Sequence, residues 1–284
     1  MIARSWLFVP GDRPDRFARA EASGADAVIF DLEDSVVPAR KAVAREAVAG
    51  RLRGPRGGPL LAVRINPANT ASGMADLAAL AAAPRPGAIV LPKAEGAASV
   101  RTLDAGLTQG ELGTVPLLPI ATETPAAVFQ LGTWPEVAAR LIGLSWGAQD
   151  LSAAVGALTS RDEAGRLTAP YEMARALALF AAGAAGVPAI ETIYPVLDDE
   201  PGLRAFADRA ARDGFCGMMA IHPGQIAAIN AAFTPSAERV AWARAVVRAF
   251  AEAPDAGALR LDGAMIDAPH LAQARRILAR AEGR

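Results

Sequence analysis

Two short strings near the middle of the chain each place one carboxylate at the end of an apolar run: Ala121-Thr122-Glu123-Thr124-Pro125 and Gly147-Ala148-Gln149-Asp150-Leu151. If the two runs are neighbouring parallel strands, about 4.8 Å apart, Glu123 and Asp150 can reach one cation at about 2.1 Å. Oxygen-only ligation points to Mg²⁺, with Mn²⁺ as a substitute, and leaves positions open for water or substrate. The competing reading is local: Glu123 would cap its own loop and Asp150 the helix that follows.

Other polar residues gather at similar points. Arg64 ends a run inside Val63-Arg64-Ile65-Asn66-Pro67, where a guanidinium is costly unless it meets an anion. Its planar fork suits a carboxylate or a developing oxyanion, or a salt bridge to Asp31 or Glu33. Phe30-Asp31-Leu32-Glu33-Asp34-Ser35-Val36 crowds three acids into one exit, more than a helix cap requires, so at least one of them belongs to the site or its immediate support. Lys93 in Leu91-Pro92-Lys93 could form a Schiff base. An aldol-type cleavage needs either an iminium or a metal as electron sink, and the two carboxylates favour the metal, leaving Lys93 as an electrostatic partner. His222 before Pro223 reads as a loop anchor, His270 as a surface residue, and Cys216 and Met218-Met219 as core.

The elements that must position these residues are legible as a rhythm. Apolar runs occur at Trp6–Val9, Ala27–Leu32, Leu60–Ile65, Ala88–Leu91, Leu117–Ala121, Leu141–Ser145, Ala189–Ile193 and Met218–Ile221. Between most of them lie helical spacings, as at Asp15–Ser23, Ala39–Leu52, Gly73–Ala82 and Tyr171–Ala184. Strand and helix in alternation imply parallel strands with crossover helices, and continuous apolar runs imply a sheet covered on both faces. Eight such units predict an α/β fold, a (β/α)8 TIM barrel over residues 1–235, with every polar strand end on one rim. No Gly-x-Gly-x-x-Gly follows a strand, which disfavours a dinucleotide fold. Residues 236–284 read as a helical C-terminal extension: an amphipathic helix at Ser236–Ala251, a turn, an exposed apolar pair at Met265-Ile266 and a new helix from Pro269.

Composition narrows the class of function. The chain has 284 residues, of which 52% are hydrophobic and 21% charged, with a net charge of −1. That is ample for a closed core, and it offers no basic field for nucleic acid. One cysteine excludes an intramolecular disulfide and a thiolate zinc site, and suits a reducing cytoplasm. No apolar run approaches the roughly 20 residues that span a bilayer, and the N-terminal run is too short for a signal core.

Taken in order, Arg4-Ser5-Trp6-Leu7-Phe8-Val9-Pro10-Gly11, the acidic string from Phe30 to Val36, Val63-Arg64-Ile65-Asn66, Leu91-Pro92-Lys93, Glu123-Thr124, Gly147–Leu151 and Ile221-His222-Pro223 resemble one family over nearly the whole chain. It is the citrate lyase β-subunit-like branch of the HpcH/HpaI aldolase superfamily, with its malyl-CoA and citramalyl-CoA lyases. The resemblance implies a barrel with Mg²⁺ on Glu123 and Asp150, Arg64 on the keto-acid or enolate oxygen, and an acyl-CoA or acyl-carrier thioester as substrate. It also implies a homotrimer in which Asp267, within Gly263-Ala264-Met265-Ile266-Asp267, enters the neighbouring subunit's site as acid–base. CoA is then expected over the rim near Phe8, Arg13, Lys41 and His222. Two departures bear on the substrate: Gln149 stands where relatives often carry an acid, and Arg40-Lys41-Ala42 where many carry Glu-Lys-Asp. The implied reaction is cleavage of a 3-hydroxyacyl thioester, such as citryl-, malyl- or citramalyl-CoA, to an acetyl thioester and a 2-keto acid. A thioesterase and an acyl-carrier-dependent subunit of a citrate lyase complex are the alternatives.

Overall fold

A computed structural model describes residues 2–106 and 111–283. Eight short parallel strands run in chain order: β1 (Ser5–Pro10), β2 (Ala27–Asp31), β3 (Leu60–Arg64), β4 (Ala88–Leu91), β5 (Leu117–Pro119), β6 (Leu144–Ser145), β7 (Ala189–Glu191) and β8 (Gly217–Ala220). Hydrogen-bonded neighbours follow the order β5-β4-β3-β2-β1-β8-β7-β6. Parallel bridges from Leu117 to Leu141 and from Ile120 to Ser145 join the two ends. The result is the eight-stranded α/β barrel expected from the alternation.

The strands are shorter than the apolar runs that announced them. The sixth run begins at Leu141, but regular pairing with β7 is confined to Leu144 and Ser145. All five residues of β2 and all four of β4 are buried, which explains why neither shows in–out alternation. Trp6, Ile29, Ala62, Val90, Leu118, Ile190 and Met219 pack together in the barrel core. Helix ends use local chemistry: the Thr70 hydroxyl accepts from the Gly73 amide at Ala71–Ala81, and Thr124 accepts from Ala127 at Pro125–Phe129. Helix Ala169–Ala185 closes on Gly186 at φ 68°, the left-handed conformation that glycine adopts without steric penalty.

The chain divides into two compact units, residues 3–230 and residues 231–284 together with the extreme N-terminus. The second contains helices Ala237–Glu252 and Ala268–Ala281 around a small core of Ala243, Val246, Ile266, Ala274 and Ile277. Its architecture corrects the expectation of a purely helical extension. Strands β9 (Ala258–Leu261) and β10 (Ala264–Asp267) form an antiparallel hairpin. Its two-residue turn puts Asp262 at φ 47° and Gly263 at φ 82°, the conformation that Asp-Gly favours between strands. Strand alternation also divides the supposed exposed pair, leaving Met265 62% exposed and Ile266 2%. Cys216, expected in the core, is partly exposed.

Candidate active site

The carboxyl ends of the barrel strands surround a cavity of about 330 Å³. Asp31, Asp34, Arg64, Glu123 and Asp150 line it, together with the apolar residues Phe8, Ile120, Trp146, Ile193, Met219 and Ile221. Five of the residues singled out from sequence as metal ligands, catalyst or acidic support therefore meet in one place.

Arg64 reaches it from the last position of β3, in register with Asp31 at the last position of β2. That register creates a bidentate pair, Nε to Oδ1 and Nη2 to Oδ2, both 2.7 Å. Nη1 lies 3.1 Å from Glu33, and the guanidinium stacks 4.7 Å from the Phe8 ring centre. Burial alone would lower the Arg64 pKa, but Asp31, Glu33 and Glu123 raise it above its ordinary value. Burial likewise favours neutral Asp31, yet the Arg64 fork and hydrogen bonds from Ser35 and Glu33 outweigh it and hold the carboxyl below the usual range.

Lys93 holds a backbone φ of 50°, uncommon for a residue with a side chain. That conformation aims its amide at Glu123 Oε2, 2.5 Å away. Its ammonium pairs with Glu33 and lies 3.5 Å from Asp34 and 3.9 Å from Asp150. Burial would lower the ammonium pKa; Glu33, Glu123 and Asp150 raise it instead, which disfavours a neutral amine nucleophile. Burial pushes Glu33 up to about 6 against the pull of Arg64 and Lys93.

Glu123 is buried, and that burial, with Glu33 and Asp150 nearby, raises its carboxyl to about 8 despite the Lys93 amide. A divalent cation would supply the positive charge that this carboxylate lacks. The neighbouring backbone is cut to fit: a Cβ on Gly147 would lie 2.7 Å from Glu123 Cγ and 3.3 Å from Oε1. Among the described residues no group of three or more His, Cys, Asp or Glu side chains converges on a metal position. Two carboxylates with the remaining positions open suit Mg²⁺, which retains several waters.

The residues expected to meet CoA separate. Phe8 and His222 line a second cavity of about 330 Å³ together with Arg16 and Arg19. His222 also anchors its loop, its Nδ1 accepting from the Gly224 amide at 3.1 Å. Arg13 makes a two-point ion pair with Asp15, and the Lys41 ammonium donates to the carbonyls of Leu32 and Glu33 at 2.7 and 2.8 Å. Lys41 thus tethers the loop bearing Glu33. Arg16 and Arg19 escaped the sequence reading, although their i, i+3 spacing in the first helical segment was a usable signal. Trp146 escaped it too, despite standing directly before the Gly147–Asp150 string. In the C-terminal unit Asp267 starts the last helix, and Nδ1 of His270 lies 2.5 Å from its Oδ1.

Residues 4–223 match the model of the HpcH/HpaI aldolase/citrate lyase family. The chain belongs to that family. Among curated relatives, a citrate lyase subunit beta-like protein of Mycobacterium tuberculosis is 38% identical over 280 residues, covering 97% of this chain and 94% of the relative. A (3S)-malyl-CoA thioesterase of Cereibacter sphaeroides is 35% identical over 284 residues, covering 98% and 94%. Among solved structures, protein CitE from M. tuberculosis, in complex with magnesium, acetoacetate and coenzyme A, superposes with a TM-score of 0.82 at 37% identity, covering 99% of this chain and 98% of that one. Membership of the HpcH/HpaI family and the TIM-barrel fold both agree with what the ordered motifs implied. Among the described residues no helix is long and apolar enough to cross a membrane.

Proposed function

We propose that this HpcH/HpaI-family chain is a magnesium-dependent carbon–carbon lyase acting on a 3-hydroxyacyl-CoA thioester. One observation carries the reading: the Glu123 and Asp150 carboxylates and the Arg64 guanidinium line a single cavity. Its relatives supply the chemical context, a citrate lyase subunit beta-like protein and a CitE in complex with magnesium and coenzyme A.

Cleavage requires the substrate hydroxyl to pass its proton to solvent water. As its oxygen becomes the carbonyl of the 2-keto acid, the bond between carbons 2 and 3 breaks and its electron pair passes to the thioester enolate, which takes up a proton to become the acetyl thioester. Mg²⁺ held by Glu123 and Asp150 supplies Lewis acidity, lowering the hydroxyl pKa and polarising the ketone. Arg64 is held by Asp31 in a fixed orientation, so its Nη1 edge can stabilise oxygen charge without reorganising. Lys93 keeps Glu123 in place through its amide and balances the acids through its ammonium. The second cavity, with Arg16 and Arg19 beside Phe8 and His222, matches the phosphates of the thioester carrier. Asp267, arriving from a neighbouring subunit of a homotrimer, exchanges the proton with the enolate; residues 236–284 would form the extension that carries it. The enzyme would work in the cytoplasm on small keto acids and CoA, or on an acyl-carrier protein.

The test is purified chain, Mg²⁺ and a panel of citryl-, malyl- and citramalyl-CoA, with both products read. A 2-keto acid and acetyl-CoA in equal amounts, abolished by EDTA and restored by Mg²⁺, are expected. Free hydroxy acid and CoA would instead identify the thioesterase reaction, which the 35% identical malyl-CoA thioesterase favours as the second reading. Undiminished turnover in excess EDTA would remove the metal from the mechanism.

A further inference from the structure

An acid that no substrate can reach stands behind the Arg64–Asp31 pair. Asp76, on helix Ala71–Ala81, is 0% exposed. Its Oδ2 accepts from the Asn66 amide at 2.7 Å and from Asn66 Nδ2 at 2.6 Å, and its Oδ1 accepts from Arg45 Nε at 2.6 Å. Asn66 Nδ2 also donates to the Leu32 carbonyl at 2.8 Å. Leu32 directly follows Asp31, and Asn66 is separated from Arg64 by Ile65 alone, so one side-chain amide spans the exits of β2 and β3. Between them the Leu32 amide donates to the Arg64 carbonyl at 2.8 Å.

The helix that carries Asp76 is seated against the same stretch. A Cβ on Gly73 would lie 2.2 Å from the Pro67 carbonyl oxygen and 2.9 Å from that of Asn66, so the first turn of the helix rests directly on the backbone leaving β3. Stability alone does not call for a carboxylate here, because a buried ion pair such as Asp76–Arg45 gains little over apolar side chains of the same volume. What the carboxylate adds is direction. Its two oxygens take donors from helix Lys41–Arg53 and from the β3 exit at once. Leaving a buried network of this kind half-satisfied is costly, so Asn66 has one favoured placement. Rotating its amide would also release Leu32, and with it the segment that carries Asp31 and Glu33.

We propose that Asp76 is a positioning residue for Arg64: by fixing Asn66, it holds the exits of β2 and β3 at the register in which Asp31 closes on the guanidinium fork and Nη1 is aimed at the reacting oxygen. The catalytic consequence rests on the lyase reading above, whereas the aim of Arg64 can be read without substrate.

The first readout is hydrogen exchange of the Arg64 Nε proton, which is bonded to Asp31, followed in the full chain by ¹⁵N NMR and assigned by its loss in Arg64→Lys. Asp76→Asn, which keeps the shape of the side chain but not its charge, should speed that exchange by at least about tenfold while circular dichroism stays native. The second readout is kinetic, with Mg²⁺ and the preferred thioester. Asp76→Asn should lower kcat by about tenfold and change KM by less than about threefold. In the Arg64→Lys background, where no fork remains to be aimed, the same substitution should lower kcat by less than about twofold. Asn66→Ala, which leaves the Asp76–Arg45 pair intact, should reproduce these results, and it decides if Asp76→Asn does not fold. Unchanged Arg64 proton exchange in the folded variants overturns the proposal, as does an equal fall in kcat with and without Arg64→Lys. If no thioester is cleaved, the lyase reading falls, and the exchange measurement alone decides whether Asp76 aims Arg64.

Discussion

Arg64 meets Asp31 through both arms of its guanidinium, and this pair does two jobs at the residue scale. It neutralises a charge that would otherwise be buried alone, and it fixes the direction of Nη1. A lysine keeps the charge but not the fork, so Arg64→Lys should lower kcat by about 100-fold, near 3 kcal/mol in transition-state stabilisation, with a smaller change in KM. Steady-state kinetics on the preferred thioester checks this. The same pair makes stability pH-dependent. The folded-state pKa of Asp31 is depressed, so its contribution is present above the unfolded value of about 3.9 and is lost as pH falls through the folded value. Urea unfolding between pH 3 and 6 should show the stability gap between the unmutated chain and Asp31→Asn narrowing toward the acid end. Sequence spacing named Asp31 and Glu33 as salt-bridge partners of Arg64. It could not choose between them, because the choice depends on β2–β3 register, which sets Asp31 level with Arg64 and gives it both arms of the fork.

At the scale of elements, the loop after β6 is decisive. Gly147 admits the Glu123 side chain where any Cβ would intrude, so this turn sets the spacing of the two carboxylates from the backbone outward. Gly147→Ala should leave the barrel folded yet weaken Mg²⁺ binding by about tenfold, on the scale of other changes to a ligand's supporting groups. Calorimetric Mg²⁺ titration, with circular dichroism as the fold control, reads both. The alternation of apolar runs and helical spacings located all eight strands, because burial on two faces leaves a local mark in the sequence. The hairpin at 258–267 was misread for the opposite reason. Its strands are only four residues long, so the alternation of Leu259 and Leu261 with exposed neighbours is too brief to stand out from helical spacing, and the Asp262-Gly263 turn was the clear signal.

For the whole molecule, barrel closure turns eight separate strand ends into one rim. The homotrimer proposed for this chain adds a second level of assembly. Mixing Asp267→Asn with Glu123→Ala, each expected to be inactive alone, should restore part of the activity once subunits exchange; no rescue despite exchange verified by mass spectrometry would place Asp267 outside a shared site. The order of the βα units, the pair of carboxylates, the acidic string and the arginine that ends β3 were determined by the amino-acid sequence alone, because each depends on residue type and on periods of a few residues. Only the tertiary structure decided that Lys41 tethers a loop, that the Arg64 fork is bound by Asp31, and that Trp146 leans on Glu191. Those partners lie 8 to 45 residues apart in the chain. Their meeting depends on strand register, helix packing and the low dielectric of the closed barrel, none of which leaves a local pattern to read.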